Sequence, residues 1–386
     1  MTDRLVTRMH PFERTIFGEM SALATRLGAV NLGQGFPDTG GPLTVRQAAE
    51  RAIHDGLGDQ YPPAHGLPEL RAAIIEHQER FYGLQVTDAG VAVTTGASEA
   101  LAAAILALVE PGQDVMVLDP SFDLYGAAIA LAGAGRVAVP LTGDALRPDV
   151  AAMRAALTPA TRLLLLNSPH NPTGIVFTPA ELADLAAFAI EHDLLVLADE
   201  AYEHLWFDDS VHVPIATLPG MFERTVTVGS GGKSFSFTGW KVGWATGPDD
   251  LIAAVRVVRQ HLSYVSGGPF QHAITAGLRL PDTYFDDFRA DLASKRDLLC
   301  AGLADLGFRA IPPQGTYFAT TDVTPLGFSD GEEFSRRAPV EAGVVVIPQS
   351  ALSDHPETTA PYVRWAFCKQ PAVLQEALDR LAVWLT

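Results

Sequence analysis

The sequence predicts an α/β fold: a large domain with a mostly parallel sheet between helices, joined to a smaller α+β domain. Three observations carry this. Apolar β-type runs alternate with Ala/Leu-rich helical stretches from about residue 46 to residue 276. Several of those runs are apolar at nearly every position, as strands buried on both faces of a parallel sheet are. After residue 276 the alternation stops, and a long helical stretch, further β-type runs and a closing helix follow, a pattern that suits a separate α+β layer.

The elements follow in order. An N-terminal segment, 1–45, carries the Gly/Pro-punctuated NLGQGFPDTGGP (31–42) and is expected to cross over to the smaller domain. The large domain, 46–276, contains VAVTTG (91–96), DVMVLDP (114–120), RLLLLNSP (162–169), LLVLADE (194–200) and RTVTVGS (224–230). The small domain, 277–386, has helical periodicity over 283–305, strand-like GTYFATTDV (315–323) and GVVVIP (343–348), and a helix over 371–386. A chain of 386 residues, 48% hydrophobic and 19% charged, suits a globular protein of two such units.

Bulk properties narrow the function. Forty-five acidic against twenty-seven basic residues give a formal charge of −18, which repels nucleic acid and anionic lipid in the absence of a segregated basic patch. Cys300 and Cys368 are far apart, without CxxC or His partners, so neither a disulfide framework nor a metal site is expected. The first residues lack the apolar core of a signal peptide, and no stretch approaches the ~18 apolar residues of a membrane span. A cytoplasmic protein is the expectation.

Each strand of the large domain ends in a polar or glycine-containing segment: TTGASE, DPSFDLY, NSPHNPTG, ADEAYEH and GSGGKS. In open α/β sheets ligands bind beyond the carboxyl ends of the strands, so these ends should share one site. Within the last of them, Lys233 lies between Gly232 and Ser234, and Gly-Lys-Ser is also the tail of a P-loop. That pattern requires glycine where this chain has Thr227, and the residues after the lysine, FSFTGW, are poor helix formers.

The surroundings of Lys233 favour a carbonyl cofactor. Asp199 ends a buried apolar run, where an uncompensated carboxylate is costly. Tyr202 adds a phenol and Asn171 an amide in a Pro/Gly-fixed turn. A lysine, an acid, a phenol and an amide match the needs of pyridoxal 5′-phosphate: an amine for its aldehyde, a carboxylate for its pyridine nitrogen and donors for its phenolic oxygen. Taken singly, Asp199 could cap a helix, Asn171 could shape a turn and Tyr202 could be core.

On these residues, and from NLGQGFPD to YVRWAFCK, the sequence resembles the class I/II, fold-type I pyridoxal-phosphate aminotransferases. It is most similar to the branch of kynurenine, glutamine and methionine aminotransferases and actinobacterial N-succinyldiaminopimelate aminotransferases, through TIFGEMSALATRLGAVNLGQGFPD, QYPPAHGLPELR, HLSYVSGGPFQ and GVVVIPQSAL. The resemblance implies that Lys233 is the covalent lysine, that Asp199 faces the pyridine nitrogen, and that Asn171 and Tyr202 contact the phenolic oxygen. Phe122 would stack on the ring, a role set against that of a plain core residue. Gly96, Ala97 and Ser98 would hold the phosphate at a helix N-terminus, with Ser230 and Lys241. Two positions depart from the family: Gly232 stands where many members have serine, and Lys241 replaces the arginine of other branches.

The resemblance further implies that Arg364 grips the substrate α-carboxylate while the backbone around Gly35 closes over it. It implies a homodimer in which Tyr61 reaches the phosphate of the opposite subunit and Tyr264 lines that subunit's substrate pocket. The leading donor is N-succinyl-LL-2,6-diaminopimelate, an intermediate of lysine biosynthesis, with 2-oxoglutarate as acceptor. Broad kynurenine, glutamine, methionine or aromatic amino acid transamination and C–S β-lysis remain as alternatives.

Overall fold

A computed structural model describes residues 4–386. Its central sheet has seven strands, in the spatial order Val91–Thr94, Gly243–Thr246, Thr225–Ser230, Leu195–Asp199, Thr161–Asn167, Asp114–Asp119 and Gly135–Pro140. Gly243–Thr246 runs antiparallel to both neighbours, and every other pairing in the sheet is parallel. Two of these strands are absent from the sequence reading. Gly135–Pro140 is an edge strand broken by a charged Arg136, and Gly243–Thr246 reads GWAT, short and low in β-branched residues. Trp244, buried against Val91 and Val93, supplies the packing that its neighbours' side chains lack.

The unbroken apolar runs have the expected cause. On one face Val115, Val117, Leu163, Leu165, Leu197 and Val226 pack with residues of helices Gly96–Leu108, Asp123–Ala132 and Asp249–Leu262. On the other, Met116, Leu118, Leu164, Leu166 and Val196 pack with helix Pro179–Glu191. Successive residues point to opposite faces, so both sets must be apolar. Truncating Leu164, which is fully buried, to alanine should cost about 2–5 kcal/mol. Helix Pro179–Glu191 begins at a Thr178–Glu181 capping box with proline at its first position.

A second, four-stranded antiparallel sheet has the order Ile347–Pro348, Tyr362–Ala366, Phe318–Asp322, Arg309–Ile311. Helices Asp282–Asp305, Gly331–Glu341 and Pro371–Leu385 contribute to its core, where Phe308, Phe334 and Trp365 make edge-on and tilted ring contacts. The run GVVVIP divides between two partners. Val344–Val345 pairs in parallel with Val30–Asn31, while Ile347–Pro348 pairs with Tyr362–Ala366. Val30 and Leu32 thereby pack with the core of the second sheet, and the chain leaves that pairing directly into Gly33–Gly35, beside the strand ends of the first sheet.

Candidate active site

A cavity of about 530 Å³ opens where these strand ends meet the second sheet. Twelve of the fourteen residues singled out in the sequence line it: Gly35, Gly96, Ala97, Ser98, Phe122, Asn171, Asp199, Tyr202, Ser230, Lys233, Lys241 and Arg364. Tyr61 and Tyr264 do not. They pack edge-on against each other, ring centroids 5.4 Å apart, and are 79% and 44% exposed.

Lys233 sits in a single helical turn, Gly231–Ser234, directly after strand Thr225–Ser230. The helix ends there, so the poor helix formers after the lysine act as their composition implies. Its Nζ donates to the Tyr317 hydroxyl at 2.7 Å and lies 5.5 Å from the Tyr202 ring centre. Burial lowers its pKa to about 8, and Arg364 contributes in the same direction. No carboxylate pairs with it among the described residues.

Asp199 is the last residue of its strand and is buried. Its Oδ2 accepts from the Tyr125 hydroxyl at 2.6 Å and its Oδ1 from the Ala201 amide at 3.1 Å. Burial raises the carboxyl pKa against these two bonds. No helix follows Asp199 directly, so the bond from the Ala201 amide braces a turn and is not the helix cap that one reading of the sequence allowed. The cation that a buried carboxylate calls for is not among the described side chains within ion-pair distance. A protonated pyridine nitrogen fits that need.

Arg364, in strand Tyr362–Ala366, is 2% exposed. It donates through Nη1 to Asn171 Oδ1 and through Nη2 to the Gly33 carbonyl, each at 2.8 Å. Its guanidinium lies 4.0 Å over the Phe318 ring and 4.9 Å from that of Phe17. Nε has no partner among the described residues, and burial lowers the pKa to about 10. A buried cation with an unmatched N–H and, among the described residues, no carboxylate partner suits an anion.

Gly96, Ala97 and Ser98 open the thirteen-residue helix Gly96–Leu108, whose first amides have no intrahelical acceptor. Lys241 Nζ donates to Ser98 Oγ at 3.3 Å, bringing a cation to the same helix end. A Cβ on Gly243 would lie 2.5 Å from the Gly96 carbonyl carbon, so glycine there lets the two backbones meet. Oriented amides, a hydroxyl and an ammonium suit a phosphate. The donor set as a whole therefore fits pyridoxal 5′-phosphate: phosphate cradle, acid, amine and, in Asn171 and Tyr202, polar groups between them.

Three site residues escaped the sequence reading. Tyr317 holds the lysine. Tyr125 holds Asp199. Asn167 donates to the Asp199 carbonyl at 2.8 Å and accepts from the Asn171 amide at 2.7 Å, which fixes the NSPHNPTG turn. Asn167 and Tyr125 lie inside quoted strand-end segments, so their place was visible though their partners were not.

Residues 28–381 match the family described as aminotransferase class I and II. The chain is 48% identical to a probable N-succinyldiaminopimelate aminotransferase of Mycobacterium tuberculosis, with 98% of each chain covered. It is 38% identical to the methionine aminotransferase of Escherichia coli, with 95% of each covered. The solved structure of N-succinyldiaminopimelate aminotransferase from Mycobacterium tuberculosis superposes with a TM-score of 0.97 at 47% identity, over 99% of this chain and all of that one. With that match running through both sheets and the cavity between them, the chain belongs to the class I and II aminotransferases, fold-type I enzymes that depend on pyridoxal phosphate.

Proposed function

We propose that this aminotransferase takes N-succinyl-LL-2,6-diaminopimelate as donor and 2-oxoglutarate as acceptor, in lysine biosynthesis. The observation that carries the reading is the likeness to the mycobacterial enzyme of that name over nearly the whole of both chains. A second cavity, of about 560 Å³, shares Phe122 with the first and includes Arg14 and Arg136 with Asp123 and Asp354 in its walls. It gives a long donor room beyond the reacting centre, and Arg14 offers a cation for a distal carboxylate.

Bound in the first cavity, pyridoxal phosphate supplies an aldehyde for the substrate amine and a cationic ring that withdraws electrons from the α-carbon. Asp199 would keep negative charge at the ring nitrogen, and Asn171 and Tyr202 would offer polar contacts to the phenolic oxygen. The first turn of helix Gly96–Leu108, Ser230 and Lys241 would hold the phosphate, and Phe122 would cover the ring. Arg364 orients the α-carboxylate, with the backbone around Gly35 closing beside it. Lys233 Nζ, with its pKa near 8, would take the substrate's α-proton as general base. Donor and acceptor use the one clamp at Arg364 in turn, in keeping with ping-pong order.

The reading includes a homodimer, with Tyr61 and Tyr264 serving the opposite subunit, a division of the chain at about residues 45 and 276, and a cytoplasmic location. No helix among the described residues is long and apolar enough to cross a membrane.

A panel of amino donors assayed with 2-oxoglutarate tests the substrate. The succinylated donor should give the highest kcat/KM. Negligible activity with it beside strong activity with methionine or kynurenine would favour the broad-specificity reading, which the likeness to the methionine enzyme supports. Release of pyruvate and ammonia from cysteine conjugates would mark a β-lyase.

A further inference from the structure

Tyr317 is buried in the wall between the sheets, and its hydroxyl bridges two groups. It receives Lys233 Nζ at 2.7 Å and meets the Gly35 carbonyl at 2.9 Å. A carbonyl cannot donate, so the phenol proton belongs to Gly35, whose oxygen has no other hydrogen-bond donor among the described residues. The phenol can then act toward the lysine only as acceptor. Burial raises the Tyr317 pKa well above the usual phenol value, so the phenol keeps its proton at neutral pH.

An amine that donates one N–H to a fixed oxygen keeps its lone pair outside that bond. Were the phenol instead free to donate to Nζ, it would occupy the lone pair and suppress the base. What prevents this is the position of Gly35, which is tightly set: a Cβ there would fall 2.7 Å from both the Tyr317 and Phe318 rings. The same short segment is gripped by Arg364 Nη2 at the Gly33 carbonyl. The carboxylate receptor, the Gly33–Gly35 backbone, the phenol and the amine thus form one hydrogen-bonded series.

We propose that Tyr317 is a positioning residue for proton transfer: by giving its proton to Gly35 and accepting from Lys233, it leaves the lysine lone pair free for the substrate's α-proton, and ties that state to the segment at Arg364. The inference rests on Lys233 as the base and Arg364 as the carboxylate receptor. In the transfer the substrate C–H bond breaks with its electron pair left on the α-carbon, and the Nζ lone pair forms a third N–H bond, while Tyr317 goes on accepting one of the three.

The test is Tyr317→Phe, which keeps the ring contacts with Tyr202 and Phe318. In the cofactor-loaded enzyme kcat should fall about tenfold, the effect of one hydrogen bond, with KM for the donor little changed and a larger kinetic isotope effect with α-deuterated donor. In the cofactor-free protein, trinitrobenzenesulfonate labelling of Lys233, followed by peptide mapping, should titrate at lower pH than in the parent, because an accepting oxygen favours the charged amine. An unchanged isotope effect and labelling profile overturns the proposal, whether or not kcat falls. Failure of the underlying reading would show separately, as turnover retained in Lys233→Ala.

Discussion

Arg364 and Asn171 are joined by a buried hydrogen bond of 2.8 Å from Nη1 to Oδ1, which links a cation of the second sheet to an amide at the strand ends of the first. With Nη2 held by Gly33, the guanidinium is fixed in plane before any substrate arrives. Lysine could reproduce the charge but not the fork. Arg364→Lys should therefore lower kcat/KM about 10–100-fold, equally for the amino donor and the 2-oxo acid. Steady-state kinetics in both half-reactions check this, and a loss confined to one substrate contradicts a shared clamp.

The depressed pKa of Lys233 has a consequence for stability. In the cofactor-free protein the amine is charged in both folded and unfolded chains below pH 8, so the full cost of burying the charge is present there. Between about pH 8 and the ordinary lysine value of 10.5 the unfolded chain holds the extra proton, and stability rises with pH. The gain should be roughly 3 kcal/mol. Urea melts from pH 7.5 to 10.5 should show this rise in the parent and not in Lys233→Met. Parallel curves for the two proteins would place the amine in an ordinary aqueous setting.

Behind the site, Glu203 forms a second buried ionisable group with the opposite sign. Its Oε2 accepts from the Tyr82 hydroxyl at 2.8 Å, while Oε1 has no partner among the described residues. His77, 3.9 Å away, is no counter-ion, because burial and Arg80 hold its pKa near 3. Its Nε2 is shared with His204 at 2.8 Å, and the His204 pKa is lowered as well, by burial and then by His77. Burial first, and Glu200 also, raise the Glu203 pKa to about 8. The folded chain therefore binds the proton more tightly than the unfolded one, and that stability is complete below the ordinary value of 4.5 and lost as pH rises through 8. Glu203→Gln keeps an acceptor for Tyr82 without the titration. Relative to the parent it should gain several kcal/mol between pH 5 and pH 9, read from denaturant melts; a flat difference would mean that Glu203 is charged throughout.

What the sequence disclosed, and what it withheld, divides along physical lines. Strands Thr161–Asn167 and Leu195–Asp199 were legible because burial on both faces forces an unbroken apolar run. Gly243–Thr246 was not, since its place is secured by one tryptophan and by glycine's allowance for a close backbone. The site residues that could be named were those with an isolated chemical oddity: an acid ending an apolar strand, or an arginine among Tyr, Val and Trp. Tyr317 lacked such a signal. In GTYFATTDV it is one aromatic among strand formers, and only the fold brings it across 84 residues to Lys233. The cavity proposed for the distal end of the donor was equally hidden, since Arg14 meets Phe122 there only through packing of the N-terminal segment.

Arg14 should accordingly govern which donor is preferred rather than the chemistry itself. It lies in the wall of the second cavity and not in that of the first, so its removal leaves Lys233 and Arg364 in place. Arg14→Ala should raise KM for a succinylated donor about tenfold, the effect of one exposed charge-assisted hydrogen bond, with kcat and the KM for methionine unchanged. Kinetics with the two donors in parallel read this directly. An equal effect on both would move Arg14 from recognition of the distal carboxylate to support of the helix that follows it, and the cation for that carboxylate would then have to come from elsewhere.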